Sequence, residues 1–223
     1  MSTTNGMAIA VLALLTTTAA AAPPCPAEGA ARVTVRLEMA PATLRTDLDR
    51  SALSALAGGM ATGGVAIGGH RGEVMGLTVA NFAVEYESES TTQPVGTGHW
   101  CARLSRVDAR LFIPETTVYV AADYGKDSCA YDRILAHEHQ HVAITEAALK
   151  SAGPRLEARL NKVAKESALG AGEPAAAEAV LDDSMARTVR EFMAMLSEQT
   201  RRANLGIDTQ ANYRKVAANC RVW

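Results

Sequence analysis

The chain is short of aromatic residues, of unbalanced charge and of long apolar runs, and each shortage removes a class of function. Only 4% of its 223 residues are Phe, Trp or Tyr, so a core must be built from Ala, Leu and Val. The formal net charge is −2 and the pI near neutral, which gives no sign of a nucleic-acid or membrane-surface partner. No internal repeat occurs, and no C-x-x-C pair is present to suggest a cysteine metal site. The one markedly apolar stretch near the start, Met7–Leu15, is too short to span a bilayer.

That stretch reads as the h-region of a secretory signal, Met1–Ala22. Ala20-Ala21-Ala22 supplies small residues at a cleavage site, although the MSTTNG start carries no Lys or Arg. Pro23-Pro24 before Cys25 speaks against a lipoprotein. The expectation is an exported protein, secreted or periplasmic, with residues 1–22 a signal peptide and 23–223 a single domain with no membrane anchor after cleavage. Cys25, Cys101, Cys129 and Cys220 then form two disulfides; three pairings exist, and Cys101–Cys129 with Cys25–Cys220 is the favoured one.

Residues 31–123 read as mainly β and 128–223 as mainly α. Ala31–Met39 alternates as a strand ended by Pro41, and Thr46–Leu56 reads as a short helix with Thr46 or Asp47 near its cap. A glycine-rich connection, Gly58–Gly72, holds His70. Val74–Tyr86, Trp100–Phe112 and Thr117–Ala122 read as strands of an antiparallel β-meander, with the polar tract Glu87–Gly98 between the first two.

Tyr131–Leu149 carries the chemistry. It contains H-E-x-x-H as His137, Glu138 and His141. On a helix the two histidines stack on one face and can share Zn²⁺, while Glu138 sits about 100° round, placed to act as general base on a water. Ile134, Val142, Thr145, Ala148 and Leu149 share that sector with the motif. Asp132, Arg133, His139, Gln140, Glu146 and Lys150 take the other side, so His139 is expected in solvent. Asp127 or Ser128 can cap the helix, and Gly153-Pro154 interrupts or ends it.

Arg155–Leu169 continues helically. Gly170–Pro174 turns the chain, and Ala175–Ala203 is a long amphipathic helix with Val180, Met185, Val189, Phe192, Met193 and Leu196 toward the core. A short helix follows around Tyr213–Ala218. If this helical hairpin folds back near Gly172, the metal pair faces residues near 205. Glu198 and Asp208 then come within range as third ligand, with Glu191 nearer the turn. Asp208 is favoured over Glu198, and His99 and His70 remain as alternatives. Tyr213 is either a transition-state donor or a core tyrosine.

The motif resembles that of the zincin metallopeptidases, and Ser128-Cys129-Ala130-Tyr131 through Ile134–Val142 is similar to a bacterial group of secreted zinc-dependent proteases. The resemblance implies an α+β zincin-like fold, one Zn²⁺ per chain, His137 and His141 as ligands and Glu138 as catalytic base. It also implies a peptide or protein substrate, with an edge strand as a wall of the cleft. Ile144 and Ala147 stand where the metzincin pattern has Gly and a third His, so the third ligand does not carry over. The rival expectation is a secreted binding or envelope-structure protein whose metal is not catalytic.

Overall fold

The computed structural model describes residues 24–26, 29, 31–59, 65–68, 74–218 and 220–221. The signal-like segment and His70 lie outside the described residues. Among the described residues the architecture is α+β, with two four-stranded mixed sheets and four helices in the order β1 (Arg32–Met39), β2 (Ala42–Arg45), α1 (Arg50–Gly59), β3 (Val65–Gly68), β4 (Val74–Ala80), β5 (Ala83–Pro94), β6 (His99–Ile113), β7 (Thr116–Val120), α2 (Cys129–Ala164), β8 (Ser167–Ala171), α3 (Pro174–Ile207) and α4 (Gln210–Ala218).

The strands do not form the expected meander. In the first sheet β6 pairs antiparallel with β5 along one edge; its other edge is shared end to end by parallel β1 and antiparallel β8. The second sheet runs β2-β7-β4-β3, with β2 parallel to β7. Registers explain the parallel pairs. Met39 lies beside Ile113 and Ala42 beside Thr116, the same offset, so β1–β2 and β6–β7 travel together from one sheet to the other. Both bend at a proline, Pro41 and Pro114, and Ala40 N–H donates to the Ile113 carbonyl at 3.2 Å across the corner. Val74–Tyr86, expected as one strand, breaks at Asn81-Phe82 and feeds both sheets. The polar tract Glu87–Gly98 is strand as far as Pro94, because this exposed edge pairs with β6 as far as Trp100, alongside the core residues Ala102 and Leu104.

Helix α1 begins later than expected, since Asp49 rather than Thr46 or Asp47 receives the Ala52 N–H (2.7 Å) and Asp47 is engaged by Arg45. Helix α2 begins as expected at Ser128, whose hydroxyl accepts from Tyr131 N–H at 3.1 Å. It then runs unbroken through Gly153-Pro154 to Ala164. Proline removes one helical hydrogen bond, but Pro154 is exposed while Ala152, Leu156 and Leu160 on the opposite face are fully buried, and that packing carries the helix across. The helix expected to reach Leu169 stops there, and Ser167–Ala171 adds to β6. Gly170 is required in β8: a Cβ at that position would overlap the backbone of Ala177 in α3.

Helix α3 starts with Pro174 in its first turn, where a missing N–H loses nothing. Its buried stripe is Ala177, Leu181, Met185, Val189, Phe192, Leu196, Thr200 and Asn204; Val180, expected inside, is 52% exposed because Leu181 takes the inward position. The stripe turns polar at Thr200 and Asn204, one turn apart, and one turn beyond Asn204 stands Asp208. The main core lies between the first sheet, the C-terminal half of α2 and α3. Smaller clusters join the second sheet to α1 and to Tyr131 and Ile134 of α2.

The disulfides are Cys25–Cys101 and Cys129–Cys220, not the favoured pairing. Cys101 stands at the β8 end of β6 in the first sheet, whereas α2 starts beside the second sheet, so the two are not neighbours. The bridges suit an oxidising, extracytoplasmic environment. Among the described residues, no helix is long and apolar enough to cross a membrane.

Candidate metal centre

One turn of α2 separates His137 from His141, and their side chains are 1% exposed. The Nε2 atoms lie 3.1 Å apart. Asp208, where α3 ends, brings Oδ1 to 3.2 Å from His137 Nε2 and 3.1 Å from His141 Nε2. Ligands on a tetrahedral zinc at 2.0–2.1 Å stand about 3.3 Å from one another, so these three atoms have the spacing of one face of such a site. Among the described residues this is the one group of three or more His, Cys, Asp or Glu with metal-ligand spacing.

The surrounding contacts set orientation. His141 Nδ1 lies 3.0 Å from Asn204 Oδ1, an acceptor, which places the ring proton on Nδ1 and leaves the Nε2 lone pair facing the group. Asn212 donates from Nδ2 to the Ile207 carbonyl (2.8 Å), tying α4 to the end of α3, and the same nitrogen lies 3.4 Å from His137 Nδ1. Tyr213 donates its hydroxyl to Asp208 Oδ1 at 3.0 Å, and its ring is 5.6 Å from that of His137.

Glu138 faces β4 and is fully buried. Its Oε2 accepts from the Thr78 hydroxyl at 2.7 Å, while Oε1 has no partner among the described residues. Gly76 lets α2 approach this closely, because a Cβ there would collide with Glu138 Oε1 and Ile134. Burial pushes the Glu138 carboxyl up to about 8, against the opposing pull of His141 and the Thr78 hydrogen bond. Burial would also raise Asp208, but hydrogen bonds from His137, His141 and Tyr213 outweigh it and hold the carboxyl below its ordinary value. Burial opposes charge on His141; Asp208 and Asn204 more than offset it, so that imidazole is raised.

Asp208 Oδ2, like Glu138 Oε1, is buried without a partner. Buried polar atoms of this kind are uncommon in folded proteins, and two of them flanking an N, N, O triad are what a cation and its water would satisfy. The donor set, two imidazoles and a carboxylate, therefore fits a metal ion.

The other expected residues lie elsewhere. Glu198 is taken up by Arg201 and Arg202, which hold its carboxyl down to about 2. His99 opens β6 with Nδ1 3.0 Å from the Thr97 carbonyl, and Glu191 and His139 are exposed. Asn204, Thr78 and Gly76 were not anticipated. Asn204 had a visible signal, an amide on an otherwise apolar stripe one turn before Asp208; Thr78 and Gly76 become meaningful only once β4 is laid on α2. Comparison with protein-family models, with curated proteins and with solved structures finds no match, so the chemistry of this group rests on its own atoms.

Proposed function

We propose that the protein is an exported, zinc-dependent peptidase of zincin-like type that hydrolyses peptide bonds. The observation that carries this reading is the placement of Glu138: a buried carboxylate with one free oxygen, next to a triad with zinc-ligand spacing. His137, His141 and Asp208 would hold Zn²⁺, which when bound supplies the acidity that brings a water toward ionisation near pH 7. A cation beside it would favour the ionised form of Glu138, which could then take a proton from water through Oε1 and return it to the leaving amine, while Thr78 fixes the carboxylate through Oε2. Asn204 keeps the His141 tautomer that ligation requires. The Tyr213 hydroxyl donates its proton to Asp208 Oδ1 and so helps to hold that carboxylate in place. The disulfides support export into an oxidising space.

One observation favours a second reading, a metal that only staples α2 to the end of α3. His137, Glu138, His141 and the Asp208 side chain are all at most 5% exposed. Glu138→Gln separates the two. Measured on disulfide-intact protein, it is expected to retain zinc and to lose hydrolysis of a protein substrate by about 10²–10⁴-fold, the usual contribution of a general base. Hydrolysis at the wild-type rate would show that Glu138 is not the base; no zinc-dependent hydrolysis by the wild type would leave only the staple.

A further inference from the structure

Beside the triad, on the side of His141, a cavity of about 70 Å³ opens between α3 and the Asn81-Phe82 link that joins the two sheets. It reaches the His141 ring, and its lining sets polar side chains beside Ala80 and Phe82. Its inner wall is Thr78, Thr145, Thr200 and Asn204, all at least nine-tenths buried. The threonine protons are already spent: Thr145 donates to the His141 carbonyl, Thr200 to the Leu196 carbonyl (both 2.9 Å) and Thr78 to Glu138. Their oxygens keep accepting lone pairs. Asn204 uses Oδ1 on His141, which leaves its Nδ2 as the donor on this wall. Ser197 stands nearer the mouth. Arg201 is there too, but its charge is committed to Glu198.

We propose that this cavity is the subsite that receives one small, neutral, hydrogen-bonding side chain of the substrate, a hydroxyl or a carboxamide. The inference rests on the peptidase reading above and gives it a specificity. Size excludes aromatic side chains, because the space is about half of the ~150 Å³ that admits a benzene ring. Chemistry disfavours aliphatic ones: a leucine could pack on Ala80 and Phe82 but would leave Asn204 Nδ2 and the threonine hydroxyls without a partner from the substrate. Charge excludes acids and bases, since Arg201 and Glu198 neutralise each other at the mouth.

The test uses dipeptide hydroxamates, which chelate zinc directly and need no turnover, titrated by calorimetry into zinc-loaded Glu138→Gln protein. The series carries Gly, Ser, Asn, Asp, Leu or Phe at the position next to the chelating group. Ser and Asn are expected to bind about tenfold or more tighter than Leu, with Phe weakest, as for a site whose polar groups need partners. Thr145→Val with Thr200→Val keeps the volume and is expected to shrink the Ser-over-Leu gap to about threefold or less. Ser197→Ala, an exposed change that leaves the core alone, should shrink it in the same direction. Leu or Asp binding best, no ranking, or no hydroxamate binding to the zinc-loaded protein would each overturn the subsite. The two readings fail separately. An intact ranking without peptide hydrolysis by the wild type would sink the peptidase and leave the subsite; hydrolysis with Leu ranked first would do the reverse.

Discussion

From Leu149 to Ala164, α2 buries Leu149, Ala152, Leu156, Leu160 and Val163 against the first sheet and α3; from Ala130 to Thr145 the same helix buries His137, Glu138, His141 and Thr145 among other groups. The first half needs nothing further. Apolar burial is satisfied by contact alone, and each large side chain contributes roughly 1.5–3 kcal/mol. The second half is different, because every buried polar atom needs a partner. Asp208 and Asn204 at the end of α3 and Thr78 on β4 supply most of them, and Glu138 Oε1 and Asp208 Oδ2 are left over. The apolar half thus holds the fold, while the polar half is stable only in so far as the fold holds it, and its unmet groups are where a ligand gains most.

The sharpest way to break this contrast is to cut each half once and add zinc. With zinc at a thousandfold excess over its Kd, the wild type should gain about 4 kcal/mol of stability against urea. Asp208→Ala is expected to abolish that increment and to change the metal-free protein far less. Leu156→Ala should lose roughly 2–5 kcal/mol with or without metal and keep the whole zinc increment. If Leu156→Ala removed the zinc response, or Asp208→Ala preserved it, the two halves would not be separable in this way.

A smaller effect concerns the polar half without metal. Glu138 is raised from 4.5 to about 8 in the folded chain, chiefly by burial. Between those values the folded protein keeps a proton on this carboxyl that the unfolded chain has released, so stability falls as pH rises through that window and levels off above it. Glu138→Gln removes the titration. Metal-free wild type minus metal-free Glu138→Gln should therefore show a stability difference that declines from pH 5 to pH 8, by on the order of a few kcal/mol. A flat difference would mean that Glu138 stays ionised on folding and that Oε1 has a partner after all.

The same contrast explains what could be read from the sequence. The i, i+4 spacing and the amphipathic sector of α2 are local, so the Ser128 cap, the inward His137 and His141 and the outward His139 were all legible. The return of the chain to Asp208 was approachable because a hairpin of two helices obeys simple geometry. The sheets were not. Their parallel pairs depend on two strands bending together at Pro41 and Pro114, and no period within either strand reports a neighbour about seventy residues away. The disulfides failed for the same reason: pairing depends on which ends of β6 and α2 meet. Pro154 misled in the opposite direction, a local stop signal overridden by the burial of Leu156 and Leu160.

The bridges give the finest test of the comparison. They close loops of 76 and 91 residues, so chain-entropy reasoning assigns them similar stabilisation, and global stability will not tell them apart. Their positions should. Cys25–Cys101 fastens the segment before β1 to β6, on the side of the apolar core. Cys129–Cys220 joins the first residue of α2 to the end of α4, and α4 buries none of its own residues. Asp208 and Tyr213 thus sit in a stretch held at one end by α3 and at the other by that bridge. Removing it, as Cys129→Ser with Cys220→Ser, is expected to weaken zinc binding by about 10-fold, the effect of a supporting contact rather than of a ligand. Cys25→Ser with Cys101→Ser should leave zinc affinity within about 3-fold, since no ligand or supporting residue lies on that side. Equal losses from the two would show that the site feels the bridges only through overall stability, and that α4 is positioned by Asn212 and Tyr213 without help from the disulfide.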